Sequence, residues 1–95
     1  MINPTADLFE SLIGQDIKVA AAHGAEAWRV VSIKRSPSHV LRGDQPFNVY
    51  LTAPASNDRK QGIRSAQTRD GDALEFFAVP LAATADGVSY EVIFN

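Results

Sequence analysis

The chain contains no cysteine, which removes disulfide frameworks, thiolate metal sites and cysteine nucleophiles from consideration. It has two histidines, His23 and His39, and their spacing matches no metal-binding motif. No apolar run approaches the ~20 residues that a membrane-spanning helix requires. The first residues, Met1-Ile2-Asn3-Pro4-Thr5, lack the basic and apolar regions of a signal peptide, so synthesis in the cytoplasm is expected, with later export or virion association compatible with that. The six glycines stand singly, and none builds a phosphate cradle or a dinucleotide fingerprint. Basic residues are missing altogether from positions 70–95, where Asp70, Asp72, Glu75, Asp86 and Glu91 sum to −5.

What is present fits one small soluble domain over residues 1–95. Of its 95 residues, 45% are hydrophobic and 21% charged, ordinary values for a globular chain. The net charge of −2 is unevenly spread: residues 1–27 sum to −3, and residues 28–69 to +6. A basic middle between acidic ends suits an anionic partner, or pairs internally across neighbouring strands.

A short helix is expected after Thr5, which can cap it. Asp7 suits its positive end, Gly14 stops it, and Leu8, Phe9 and Leu12 give it one apolar face. Beyond Gly14 the period changes to two. Asp16–Val19 alternates polar and apolar. Ala27–Arg35 is rich in β-branched residues, and its alternation slips between Val30 and Val31, the mark of a bulge or of two buried faces. Phe47, Val49 and Leu51 alternate with Asn48, Tyr50 and Thr52, and Pro54 ends that run. Gly62–Gln67 is a weaker strand with Ile63 as its anchor. Leu74–Leu81 is strongly apolar and is stopped near its end by Pro80. Asp86-Gly87 signals a hairpin into Val88–Phe94. One helix and six short strands without crossover helices define a mainly β fold: a small antiparallel six-stranded barrel or sandwich with a short N-terminal helix. Phe47, Leu51, Phe76, Val92 and Phe94 form the expected core, with Trp28 at its margin and its indole N–H on a carbonyl.

The residue inventory argues against catalysis. Ser38, His39 and Asp44 have the residue types of a hydrolytic triad, but they share one loop and no nucleophile elbow accompanies them. Asp70 and Asp72 flank a turn glycine, which is turn chemistry. Arg42-Gly43-Asp44 spells an adhesive tripeptide, a match that turn composition alone produces. No catalytic, metal or cofactor residue is assigned. Two features point to binding instead. In Leu74–Leu81 both sides are largely apolar, one carrying Leu74, Phe76 and Ala78 and the other Phe77, Val79 and Leu81, so something must cover the second side; the N-terminal helix or a partner would do so. The basic middle third contains Arg59, Lys60 and Arg64, with Trp28, Phe47 and Tyr50 as stacking aromatics if the partner were nucleic acid. The candidate interaction residues are therefore Phe77, Val79, Arg59, Lys60 and Arg64.

These landmarks resemble a family of small, functionally uncharacterised bacterial domains. The resemblance rests on Phe9, Leu12, Ile13, Gly14 and Gln15; on Pro46, Phe47, Val49 and Leu51; on Gln61-Gly62; on Leu74, Phe76, Phe77, Val79 and Pro80; and on the ending Tyr90-Glu91-Val92-Ile93-Phe94-Asn95. It departs at Arg64, where the family pattern calls for an aromatic residue, and in a longer loop at Ser36–Gln45. The resemblance implies companions among phage-tail-collar-like proteins, supplies no catalytic residues, and makes a non-enzymatic structural or assembly role the leading expectation. Self-association or a protein partner is expected, and a nucleic-acid-binding barrel is the alternative.

Overall fold

A computed structural model describes residues 4–22, 24–35 and 46–94. One helix, α1 (Ala6–Leu12), precedes six strands: β1 (Asp16–Ala21), β2 (Gly24–Arg35), β3 (Phe47–Ala53), β4 (Gly62–Gln67), β5 (Ala73–Thr84) and β6 (Gly87–Phe94). All the pairings are antiparallel, and the strands close into a barrel in the order β1-β2-β3-β6-β5-β4. The fold is thus a barrel, and the sandwich alternative falls away.

Local chemistry accounts for the elements. The Thr5 hydroxyl accepts a hydrogen bond from the Leu8 N–H at 3.1 Å, capping α1 as its sequence suggests. β3 alternates without error, with Phe47, Val49, Leu51 and Ala53 buried and the residues between them half-buried. The slip in β2 is a bulge between Val30 and Ser32. β5 does not stop at Pro80; it continues to Thr84 through an irregularity between Pro80 and Ala82, which accommodates the missing N–H. At Gly87 the backbone has φ +149°, and a Cβ there would lie 2.4 Å from the Ala53 carbonyl oxygen, so only glycine lets β6 start this close to β3.

The strand order decides how the barrel ends are shut. β3 and β4 lie diametrically opposite in the ring, so the connection from Pro54 to Gln61 must cross one mouth. The helix shuts the other. Phe9 is fully buried, with its ring 6.3 Å from Phe47 and 5.5 Å from Phe94, which themselves stack at 4.7 Å. Arg35, at the end of β2, holds the helix from outside through Asp7 at 2.9 Å and Glu10 at 2.6 Å. With the Arg29–Asp16 pair at 3.2 Å, part of the basic middle is answered by the acidic N-terminal segment.

Three expectations need correction. The helix does not cover the outer side of β5; its apolar face turns into the barrel mouth, where the interior would otherwise meet water. Trp28 is not marginal but completely buried at the centre, stacked on Tyr90 with ring centroids 4.3 Å apart. Phe94 is only partly buried because it sits at the mouth beside the helix. The core therefore depends more on Phe9 than on Phe94. Phe9→Ala should cost ~3–5 kcal/mol in urea unfolding, and Phe94→Ala clearly less. The reverse order would mean that the helix is not the plug of this mouth.

Candidate functional site

The crossing connection carries a hydrogen-bonded polar cluster onto the buried aromatics. Asn57 is buried; its Oδ1 accepts from the Tyr90 hydroxyl at 2.6 Å and from the Arg59 N–H at 2.7 Å. Its Nδ2 donates at 2.7 Å to Glu26 Oε1, which also accepts from the Trp28 indole N–H at 3.0 Å. The indole thus meets a carboxylate rather than the expected carbonyl. Capping by Asn57 also holds Arg59 at φ +61°, a left-handed conformation that such a side-chain turn stabilises.

Arg64 enters the same cluster from β4. Only a tenth of its side chain is exposed. Its Nη2 donates to Asp58 at 2.9 Å, to the Lys60 carbonyl at 2.8 Å and to the Tyr90 hydroxyl at 3.2 Å. The guanidinium carbon lies 5.2 Å from the Trp28 ring centroid and 5.6 Å from that of Tyr90, a desolvated cation–π arrangement. The hydrogen bond from Arg64, together with the Lys60 N–H, holds the Asp58 carboxyl below the usual aspartate range. Burial pushes the Tyr90 hydroxyl above the usual tyrosine value. Burial also opposes the Arg64 charge, but the bond to Asp58 and the contact with Tyr90 outweigh it, and its affinity for its proton rises.

This placement inverts the sequence reading of β4. Ile63, read as its anchor, is on the outer surface and 70% exposed, whereas Arg64 and Ala66 face inward. The physical reason is that the planar cation of Arg64 packs on the two buried rings and has its Nη2 bonds made there, which sets the phase of the strand and turns Ile63 outward. Of the candidate interaction residues, Arg64 is therefore separated from Arg59 and Lys60, which stay exposed on the crossing connection.

Phe77 and Val79 do lie together on the outer face of β5, Phe77 half-exposed and Val79 partly buried. Ile63 pairs directly with Phe77 across β4 and β5. The Ala78–Val92 pairing sets Ile93 of β6 beside Phe77 at the next step, and Ile93 is 52% exposed. The result is an apolar band across three strands. Polar residues border it: Ser65 paired with Glu75 on one side, and on the other Glu91, opposite Val79 and accepting from the Tyr50 hydroxyl at 2.8 Å. Sequence reasoning missed Ile63 and Ile93 as members, although Ile93 follows from the alternation of β6.

His23, Ser38, His39, Arg42, Gly43 and Asp44 lie outside the described residues. Among the described residues no group of three or more histidine or carboxylate side chains comes together to hold a metal. Among the described residues no helix is long and apolar enough to cross a membrane. Trp28 and Phe47, two of the three aromatics that a stacking surface for bases would use, are buried in the barrel.

Fold and site together define a small closed β-barrel whose buried polar groups bond to one another and whose apolar excess lies outside. The chain belongs to the family described as Domain of unknown function (DUF6916), whose model matches residues 4–94. No curated protein matches the chain, and no solved structure does.

The Arg64 cluster makes a pH-dependent prediction. Because the folded state lowers the Asp58 pKa, its stabilising contribution is present above the ordinary value near ~3.9 and is lost as pH falls through the folded value. Asp58→Asn should flatten this acid limb of the stability curve. Arg64→Ala should destabilise by ~2–4 kcal/mol at neutral pH, since it removes charge-assisted hydrogen bonds and a buried cation–π contact. Urea midpoints across a pH series check both. An unchanged acid limb in Asp58→Asn would assign the acid sensitivity to other carboxylates.

Proposed function

We propose that this chain is a non-enzymatic assembly module, a subunit or cap of a phage-tail-like or fibre-like bacterial assembly, which docks on a second copy of itself through the outer face of β4, β5 and β6. The observation that carries this reading is the contiguous outer band Ile63–Phe77–Ile93 with its polar border. Single exposed apolar residues are ordinary, but adjacent ones rimmed by polar side chains are the pattern of a protein interface. The band is not explained by folding: Ile63 and Phe77 face away from a core that is already filled and plugged at both mouths. The absence of an assigned catalytic constellation, the uneven charge along the chain and the resemblance to companions of tail-collar-like proteins support the same reading. Against the nucleic-acid alternative, Trp28 and Phe47, two of its three stacking aromatics, are interior.

The test is sedimentation velocity across a concentration series. The wild-type chain should associate as concentration rises, burying on the order of 800 Å² per partner at a stable contact. Phe77→Asp should sediment as a monomer throughout while melting within ~0.5 kcal/mol of wild type, because the substituted side chain is on the surface. A wild-type chain that remains monomeric at every concentration overturns the proposal, as does association that Phe77→Asp leaves intact.

A further inference from the structure

A second feature stands apart from the apolar band and does not depend on its role. The barrel is closed by β1 and β4, and that closure is short: only Lys18–Gln67 and Val19–Ala66 pair, against six or seven aligned residues at most other junctions. Towards the mouth that the 54–61 connection crosses, the two strands part. Ala20–Ala22 on one side and Gly62–Ser65 on the other line an open concavity of about 430 Å³, which Asp58, Lys60 and Gln61 complete.

Beyond Val19–Ala66 the two edges have no aligned strand partner. Gly62–Ser65 pairs with Ala78–Glu75 of β5, which engages the N–H and C=O groups of alternate residues. The groups of the residues between aim at the β1 side, where the register pairing stops at Val19–Ala66. Among the described residues, the backbone bonds of turns, loops and caps do not involve Ala20–Ala22 or Gly62–Ser65. The walls are low, with three alanines opposite, and Gly62 has φ +152° with nothing within 4 Å of where a Cβ would stand. A backbone could therefore approach closely. This is an exposed strand edge four residues long, ~13 Å at the usual rise of a strand.

Charge along the seam selects the occupant. The carboxylates that line it are engaged: Asp58 by Arg64 and Asp16 by Arg29. Lys60 at one end, Lys18 at the paired residues and Arg69 beyond them are exposed, and among the described residues no carboxylate pairs with them. The seam is thus basic overall, with no exposed aromatic side chain lining it on which a base could stack.

We infer that the parted β1–β4 seam is a peptide-binding edge, which receives an extended acidic segment of a partner protein as an added strand on Gly62–Ser65. Main-chain hydrogen bonds supply the attachment, as in other strand-addition complexes, and the lysines favour carboxylates along the added segment. The side chains of the added strand that face outward would lie beside Ile63, the most exposed apolar residue of the barrel.

Nuclear magnetic resonance titration of the intact chain tests this. The probe is an end-blocked hexapeptide alternating glutamate and threonine, with three controls: the lysine–threonine counterpart, the same acidic peptide N-methylated at alternate residues, and a single-stranded oligothymidylate. The acidic peptide should shift the amide signals of Gly62–Ser65 and Ala20–Ala22 and leave those of β3 unchanged. Lys60→Glu combined with Lys18→Glu should weaken its binding about tenfold or more without changing the melting temperature, as expected for charges that favour an anionic strand. At least one N-methylated version should lose binding, because it removes the donors that strand pairing needs. The proposal is overturned by equal binding of every N-methylated peptide, by equal binding of the lysine peptide, by binding of the oligothymidylate alone, or by no response at the seam. None of these outcomes bears on self-association through Phe77, which Phe77→Asp addresses separately.

Discussion

Everything in this fold depends on a planar cation placed inside a six-stranded barrel. The Arg64 guanidinium lies over Trp28 and Tyr90 and binds Asp58, the Lys60 carbonyl and the Tyr90 hydroxyl through one nitrogen. A buried charge without partners would be ruinous, so the crossing connection has to bring Asp58 and Asn57 to a fixed place. Once there, Asn57 takes up the Tyr90 hydroxyl and Glu26, and Glu26 takes up the indole of Trp28. One mouth of the barrel is sealed by this chain of satisfied polar groups, the other by a helix whose Phe9 ring completes an aromatic trio. Polar specificity shuts one end and apolar burial the other.

The consequence for function is a matter of what is left over. The interior of the barrel is filled by Trp28, Tyr90, Leu51 and their neighbours. The chemistry that remains is on the outside: an apolar band over three strands, and a basic seam where two strands meet over only two residues. Both are the surfaces proposed above for contacts with macromolecules.

Much of this was legible in the sequence where a period or a cap governs locally. Thr5 as a cap, the alternation of Phe47–Thr52, the bulge at Val30–Val31 and the Gly87 hairpin each depend on a few consecutive residues, and each stands as read. The phase of β4 did not, because nothing near Arg64 announces that its partners are Trp28, Tyr90 and Asp58 on other elements. An arginine next to an isoleucine reads as surface beside core until the distant rings are known. Pro80 was similarly misleading, since an irregularity lets β5 run past it. The outer face of Phe77 and Val79 was visible as a two-sided strand, but its neighbours Ile63 and Ile93 are adjacent only through register. The parting of β1 from β4 has no sequence signature at all; it is a property of closure.

The central claim is a contrast between a sealed interior and an open seam, and amide hydrogen exchange measured residue by residue tests it most directly. The amides of Val49, Leu51, Val88 and Val92, in the long β3–β6 pairing, should exchange only on global unfolding. Alternate amides within Gly62–Ser65, aimed at the seam, should exchange orders of magnitude faster although they belong to a regular strand. Protection across all of Gly62–Ser65 equal to that of β3 would show that β1 and β4 do not part, and would contradict the account.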